Sequence, residues 1–464
     1  MKETRFFVIR LLFLLVLCSG LAAQERPNVL WIVLDDLRTE LGCYGAEDVI
    51  SPNIDRLAAK GMLFNKAYAQ YPVCNPSRAS FTTGLRPNEV GILSNKTPLR
   101  RPHPNLVTLP QLFRENGYKT VGIGKIYHLS VDDPDGKRVL FEDPQSWDYF
   151  SDTLQNTTPL GRKGEGRNLT GGKLKWAHWR AAEGGDLGQP DGQNADALVK
   201  KLEEIHDEPF FIGYGIHKPH DPFVAPKQYF DLYPEGSTKL EQEPENRSEL
   251  ERYALPNQSL FADFTDAERS EFKRAYQACV SFVDAQLGKV FATMDRLNLW
   301  DNTIVILMSD HGYHLGHKGW WNKVTLFETS ARVPFIVWSP NSRGMGQKTE
   351  SIIELVDIYP TLVDLAGLQA PHALSGKSMR PILDDPNAVT KHMAFTQVQR
   401  GKNSGRSIRS PRWRYTEWGQ DGELGVELYD HVKDPGEFYN LARNPEYSNL
   451  RSQLKRALDE GFEG

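Results

Sequence analysis

The segment NVLWIVLDD, residues 28–36, runs through six apolar residues in a row, Val29 to Leu34, and stops at two aspartates. A strand with one wet face alternates polar and apolar residues, whereas an unbroken run reads as a strand buried on both sides. Four more runs have this character: KTVGIG (119–124), PFFIGYGI (209–216), TIVILMS (303–309) and VPFIVWS (333–339). Between them, SPNIDRLAAKG (51–61) and RAYQACVSFVDAQLGKVFATMDRL (274–297) carry helical spacing of apolar positions. The pattern predicts an α/β fold with a largely parallel sheet sandwiched by helices.

Four of the five runs end in charged or imidazole side chains: Asp35-Asp36, then Lys125 and His128, then His217-Lys218-Pro219-His220, then Asp310-His311. Open α/β sheets bind ligands beyond the carboxyl ends of their strands, so these four clusters should meet at one edge. Residues 128–195 and 235–265 are polar and weakly periodic, which predicts surface insertions around that edge. After residue 370 the pattern changes to short strand-like pieces, RWRYTEW and VELYDHV, and a helical tail. The expected organisation is a catalytic α/β domain over 24–370 and a small C-terminal α+β subdomain with an antiparallel sheet over 371–464.

Residues 1–23 have a basic start, an apolar run from Phe6 to Leu17 and small residues from Gly20 to Ala23, the pattern of a signal peptide. The run is shorter than the roughly 20 residues of a membrane-spanning helix, so no stable membrane span is expected. The chain is therefore read as exported, to a periplasm or the outside, or to a lysosome-like compartment in a eukaryote. Cys18 follows Leu17, where a lipoprotein would want a small residue. A formal net charge of −5 gives no sign of a nucleic-acid partner. Cys43, Cys74 and Cys279 remain after export, an odd number that cannot form a complete set of internal disulfides.

Asp35 and Asp36 repel one another in one pocket unless a cation intervenes, and Asp310 adds a third carboxylate. Such an oxygen-rich set suits Ca²⁺, or less well Mg²⁺, with His311 as a further ligand or a hydrogen-bond partner of the reacting group. Taken alone, Asp-Asp reads more readily as a loop start with one residue capping a helix, and Asp310-His311-Gly312 after an equally apolar strand counts against that reading. Cys74 stands before Pro76, which suits a first helical turn, and SRASFTTGL (77–85) continues that helix to Gly84. A helix start favours a nucleophile and an anionic substrate, and Arg78 lies one turn on along the same face. A lone cysteine also reads as a small buried apolar residue. Trp320 and Trp321 are either interior packing or a wall on which a sugar ring stacks.

Cys74-Asn75-Pro76-Ser77-Arg78 resembles the C-x-P-S-R signature of type I sulfatases, and LDD, GIGKIYH, HKPHDPF, SDHG, WNK and ELYDHVKDPGEFYNLA resemble the family's other blocks in order and spacing. GKIYH and GYGIHKPHDPFVAPKQYFDLYP are most similar to the iduronate-2-sulfatase group. The resemblance implies an alkaline-phosphatase-like core and a formylglycine made from Cys74 by a formylglycine-generating enzyme. It implies a calcium site of Asp35, Asp36, Asp310, His311 and residue 74. Arg78 and Lys125 would hold the modified residue and the sulfate, and His128 would help expel the sulfated adduct. His220 and Lys323 would bind the transferring group and assist the leaving sugar oxygen, with Trp321 also placed against the substrate. Many members of the family carry Asn where this chain has His311.

The expected function is hydrolysis of sulfate esters on a sulfated saccharide containing uronic acid. A phosphodiesterase or phosphonate hydrolase of the same superfamily and a non-catalytic sulfated-glycan-binding module are the alternatives.

Overall fold

The computed structural model describes residues 26–132, 138–154, 157–257 and 259–463; the signal-peptide reading of 1–23, with Cys18, lies outside the described residues. Its first half contains β1 (Asn28–Leu34), α1 (Pro52–Lys60), β2 (Met62–Tyr68), α2 (Cys74–Thr83), α3 (Leu109–Glu115), β3 (Lys119–Gly124), β4 (Tyr149–Ser151), β5 (Gly164–Asn168), β6 (His178–Ala182), α4 (Pro190–Ile205), β7 (Phe210–Ile216) and β8 (Phe223–Pro226). Then come α5 (Asp266–Arg296), β9 (Thr303–Ser309), β10 (Arg332–Val333), β11 (Phe335–Trp338), β12 (Lys348–Glu354) and α6 (Ile358–Leu365). The C-terminal part holds β13 (Ala394–Arg400), β14 (Asn403–Arg409), β15 (Trp413–Trp418), β16 (Gly425–Asp430) and α7 (Ser448–Glu463).

The main sheet has the order β10-β2-β11-β9-β1-β7-β3-β4, with β12 also paired to β2. β9, β1, β7, β3 and β4 are mutually parallel, so the strands that carry the polar clusters all end at one edge. β1 lies in the middle, and its side chains divide between two cores. Leu30, Ile32 and Leu34 enter one with α5, and Val29, Trp31 and Val33 enter the other with α2 and α6. This burial on both faces is why the run at 29–34 shows no alternation. A capping box between Thr265 and Glu268 starts α5, the long helix of the first core.

The run at 333–339 contains a strand that runs antiparallel to β9 and to β2. Phe335 faces Met308 near the carboxyl end of β9, so the intervening segment leaves and re-enters at the same edge, without the crossover that parallel pairing requires. β2 was not separable from the sequence because Asn65 and Lys66 interrupt its apolar pattern.

Residues 128–195 are less superficial than their composition predicts. Trp147 packs into the space left by Gly122 and Gly213, where an added Cβ would stand 2.8 and 2.7 Å from the indole. Trp179 on β6 is buried in the core with α5, and α4 opens at Pro190 within the same stretch. β13–β16 form a separate antiparallel sheet, and α7 covers it through Leu454 and Leu458 against Ile408, Tyr415 and Leu428. Among the described residues no helix is long and apolar enough to cross a membrane. Cys43, Cys74 and Cys279 are all free thiols, so no two of them form a bridge.

Candidate active site

The sheet ladder continues one residue past two strands and thereby fixes two carboxylates. The Asp35 N–H donates to the Ile216 carbonyl at 3.1 Å, and the Asp310 N–H donates to the Leu34 carbonyl at 3.1 Å. Asp36 then turns into the left-handed region at φ 65°, an uncommon conformation for a side-chain-bearing residue. Its N–H is held by Asp310 Oδ1 at 3.2 Å. Cys74 is the first residue of α2, a helix buried along its whole length. Ser77, which the sequence reading gave no role, ties the helix to the sheet by donating its hydroxyl to the Asp310 carbonyl at 2.6 Å.

Around the Cys74 sulfur the predicted residues converge. Sγ lies 3.5 Å from Asp35 Oδ1, 3.4 Å from His311 Nε2 and 3.4 Å from Lys323 Nζ. Lys323 also donates to Asp36 Oδ1 at 2.5 Å, and Lys125 donates to Asp35 Oδ2. Arg78, wholly buried, donates to Asp310 Oδ2 at 3.0 Å and to the carbonyls of Lys125 and Ile126. The imidazoles of His128 and His220 face the thiol, and His220 Nε2 stands 3.9 Å from Asp36 Oδ2. Asp221, which the sequence reading passed over, flanks His220 at 3.6 Å; its place beside the histidine in HKPHDPF was the available signal.

Trp321 does not join them. It is 1% exposed and packs against Phe264 and Phe272 beside the buried Trp320, so the expected sugar-stacking wall is corrected to interior packing. His217 pairs with Asp152 at 2.9 Å rather than with the cysteine.

The charges of the cluster act on one another strongly. Burial works to raise the Cys74 thiol, but Lys125, Lys323 and the two imidazoles overcome it and hold the group well below the ordinary thiol range. Burial and the negative sulfur act to raise Asp35, yet Lys125, His220 and Arg78 bring it far below the usual carboxylate range. Burial and the adjacent charge of Asp35 push Asp310 up to about 7. Burial opposes the charge of Lys125, but Asp35 and the sulfur keep it cationic. His128 is lowered, chiefly by burial, and is neutral near pH 7. The pocket thus favours negative charge at residue 74 and keeps a neutral imidazole beside it.

Two overlapping sets of donors converge within 4.8 Å, Asp35, Cys74, Asp310 and His311, and Asp35, Asp36, Cys74 and His220. Asp36 Oδ2 is buried with no hydrogen-bond partner. Three carboxylates and two imidazoles around an orphaned carboxylate oxygen fit a divalent cation. A cavity of 420 Å³ opens from Asp35, Lys125 and His220 and is walled by Arg162, Arg180 and Lys218. A second, of 320 Å³, reaches His128 and Glu142 from the same lysine.

The sequence profile of the family described as "Sulfatase" matches residues 27–368, and that described as "N-sulphoglucosamine sulphohydrolase, C-terminal" matches residues 316–463. The chain is 33% identical to iduronate 2-sulfatase of Mus musculus over 94% of each chain. A solved structure in complex with its substrate D-glucosamine-2-N,6-O-disulfate superposes with a TM-score of 0.76 at 23% identity, covering 95% of this chain and 98% of the other. The phosphonate monoester hydrolase of Silicibacter pomeroyi superposes with a TM-score of 0.77 at 22% identity, covering 94% of each chain.

Proposed function

Since the chain belongs to the sulfatase family and is a sulfuric ester hydrolase, we propose that it desulfates a uronic-acid-containing glycan with residue 74, as formylglycine, for its nucleophile. The observation that carries this reading is the set of cationic and imidazole groups trained on Cys74 Sγ, which marks where an attacking hydroxyl would stand. Formed by a formylglycine-generating enzyme and hydrated, residue 74 supplies one hydroxyl to attack sulfur and a second whose deprotonation releases sulfate and restores the aldehyde. Asp35, Asp36, Asp310 and His311 would hold the cation, Ca²⁺ rather than Mg²⁺ because converging carboxylates suit the larger ion, which accepts a variable set of oxygen ligands. When bound, it supplies positive charge to the nonbridging sulfate oxygens.

The remaining residues divide the other tasks. Arg78 anchors Asp35 and Asp310 and orients the start of α2. Lys125 and Lys323 stabilise charge that develops on the transferring group. His128, neutral and facing residue 74, takes the proton of the second hydroxyl, and His220 protonates the departing sugar oxygen. The match to an iduronate 2-sulfatase supports the uronate substrate. The leader at 1–23 supports export.

The test is turnover of a 2-O-sulfated uronate disaccharide and of an aryl phosphate diester, after coexpression with the maturating enzyme. Preference for the sulfate ester is expected. Dominant diester cleavage would favour the phosphonate hydrolase reading, which the fold alone accommodates, and binding without turnover would favour a glycan-binding module.

A further inference from the structure

The cavity that opens from Lys125 and His220 is walled by two guanidinium groups for which the catalytic cluster has no use. Arg162 and Arg180 have no ion pair with any carboxylate among the described residues, and the one bond joining them runs from Arg180 to the Arg162 carbonyl. Lys218, on the same wall, donates to the carbonyls of His220 and Pro222, at 2.8 and 2.7 Å, and forms no close ion pair with a carboxylate among the described residues. The acids at the base of the cavity are already engaged, Asp35 by Lys125 and Arg78 and Asp221 by His220.

Both arginines are carried on fixed backbone. Arg180 lies on β6, opposite Val224 of β8, the strand that follows His220. The turn bearing Arg162 is closed by its N–H to the Thr158 carbonyl at 3.2 Å and by Gln189 Nε2 to the Gly161 carbonyl at 3.0 Å. Gly161 stands so close to Gly188 that an added Cβ would fall 2.0 Å from its carbonyl oxygen. Unpaired guanidinium groups on rigid elements, facing a cavity continuous with an anion site, are arranged to receive a second anion at low ordering cost.

We infer that Arg162 and Arg180 form a specificity subsite for a second anionic group, a carboxylate or another sulfate, on the sugar undergoing desulfation or on its neighbour. The inference rests on the sulfate-ester reading for the group at residue 74, but its test does not require turnover. Affinity is measured in a Cys74→Ala background for three probes: a monosulfated uronate disaccharide, a disulfated neutral disaccharide and a monosulfated neutral disaccharide. Arg162→Gln/Arg180→Gln is expected to weaken binding of the first or second probe by about tenfold to a hundredfold relative to the third. The more affected probe identifies the anion as carboxylate or sulfate. Arg162→Gln alone, on an exposed side chain, should show part of the same selective loss and guards against a folding defect at Arg180. Equal weakening for all three probes, or none, overturns the subsite. Selective loss in the Cys74→Ala background, with no sulfate-ester hydrolysis by the Cys74-bearing parent after maturation, would support the subsite and count instead against the catalytic reading.

Discussion

Lys323 Nζ and Cys74 Sγ, 249 residues apart in the chain, lie 3.4 Å from one another. The ammonium also donates to Asp36 Oδ1, so one side chain links the proposed nucleophile position to the carboxylates proposed to hold the cation. Lys323→Gln keeps much of the length and removes the charge. We expect kcat to fall by about 10²–10³, the usual cost of one preorganised stabilising group. A change confined to KM in steady-state assays would place Lys323 in substrate binding alone.

Cys74→Ala removes the precursor of the proposed nucleophile without touching the sheet. Hydrolysis should drop by at least about 10⁴, with thermal unfolding of the variant matching the parent to within a few degrees. Substantial turnover by a well-folded Cys74→Ala protein would move the nucleophile elsewhere.

Arg78 is a structural charge as well as a member of the proposed active site. Its guanidinium joins Asp35 and Asp310, all three being buried. Arg78→Met leaves both carboxylates without it, and the expected loss is about 3–5 kcal/mol in denaturant unfolding at fixed calcium concentration. A loss below about 1 kcal/mol would show that the carboxylates are compensated by other groups.

Removing divalent cation with a chelator should abolish turnover and lower the unfolding temperature, because only the folded chain gathers the three aspartates. Added Ca²⁺ should restore both. Full activity in the chelated protein would remove the cation from the account.

Glu142, which accepts a hydrogen bond from Trp147 Nε1 at 2.6 Å, is pushed by burial from 4.5 up to about 8. A folded pKa above the unfolded one means that the protonated acid's contribution to stability is complete below about pH 4.5 and is lost as pH rises towards about 8. Glu142→Gln, which cannot ionise, should therefore gain on the parent across that window when unfolding is measured at successive pH values. Parallel stability curves would contradict the shift.

The legible part of this protein is the part buried on both faces. Val29–Leu34 and the runs ending at Gly124, Ile216 and Ser309 announce themselves because neither face meets water, and the polar residues after them stand where parallel strands end. Trp321 was ambiguous for a physical reason: a tryptophan pair has the same sequence signature in a core and on a binding wall. Arg162 and Arg180 were invisible because they sit in a polar stretch whose strands are too short to show a period. Trp147 was hidden likewise, since its berth is made by Gly122 and Gly213 on other strands.

The proposed chemistry requires residue 74 to be oxidised to an aldehyde in the active protein. The direct measurement is the mass of the peptide carrying residues 74–78, taken from a fully active preparation. The expected mass is that of a formylglycine in place of cysteine, in proportion to specific activity across preparations. An intact cysteine thiol throughout a fully active sample would contradict it.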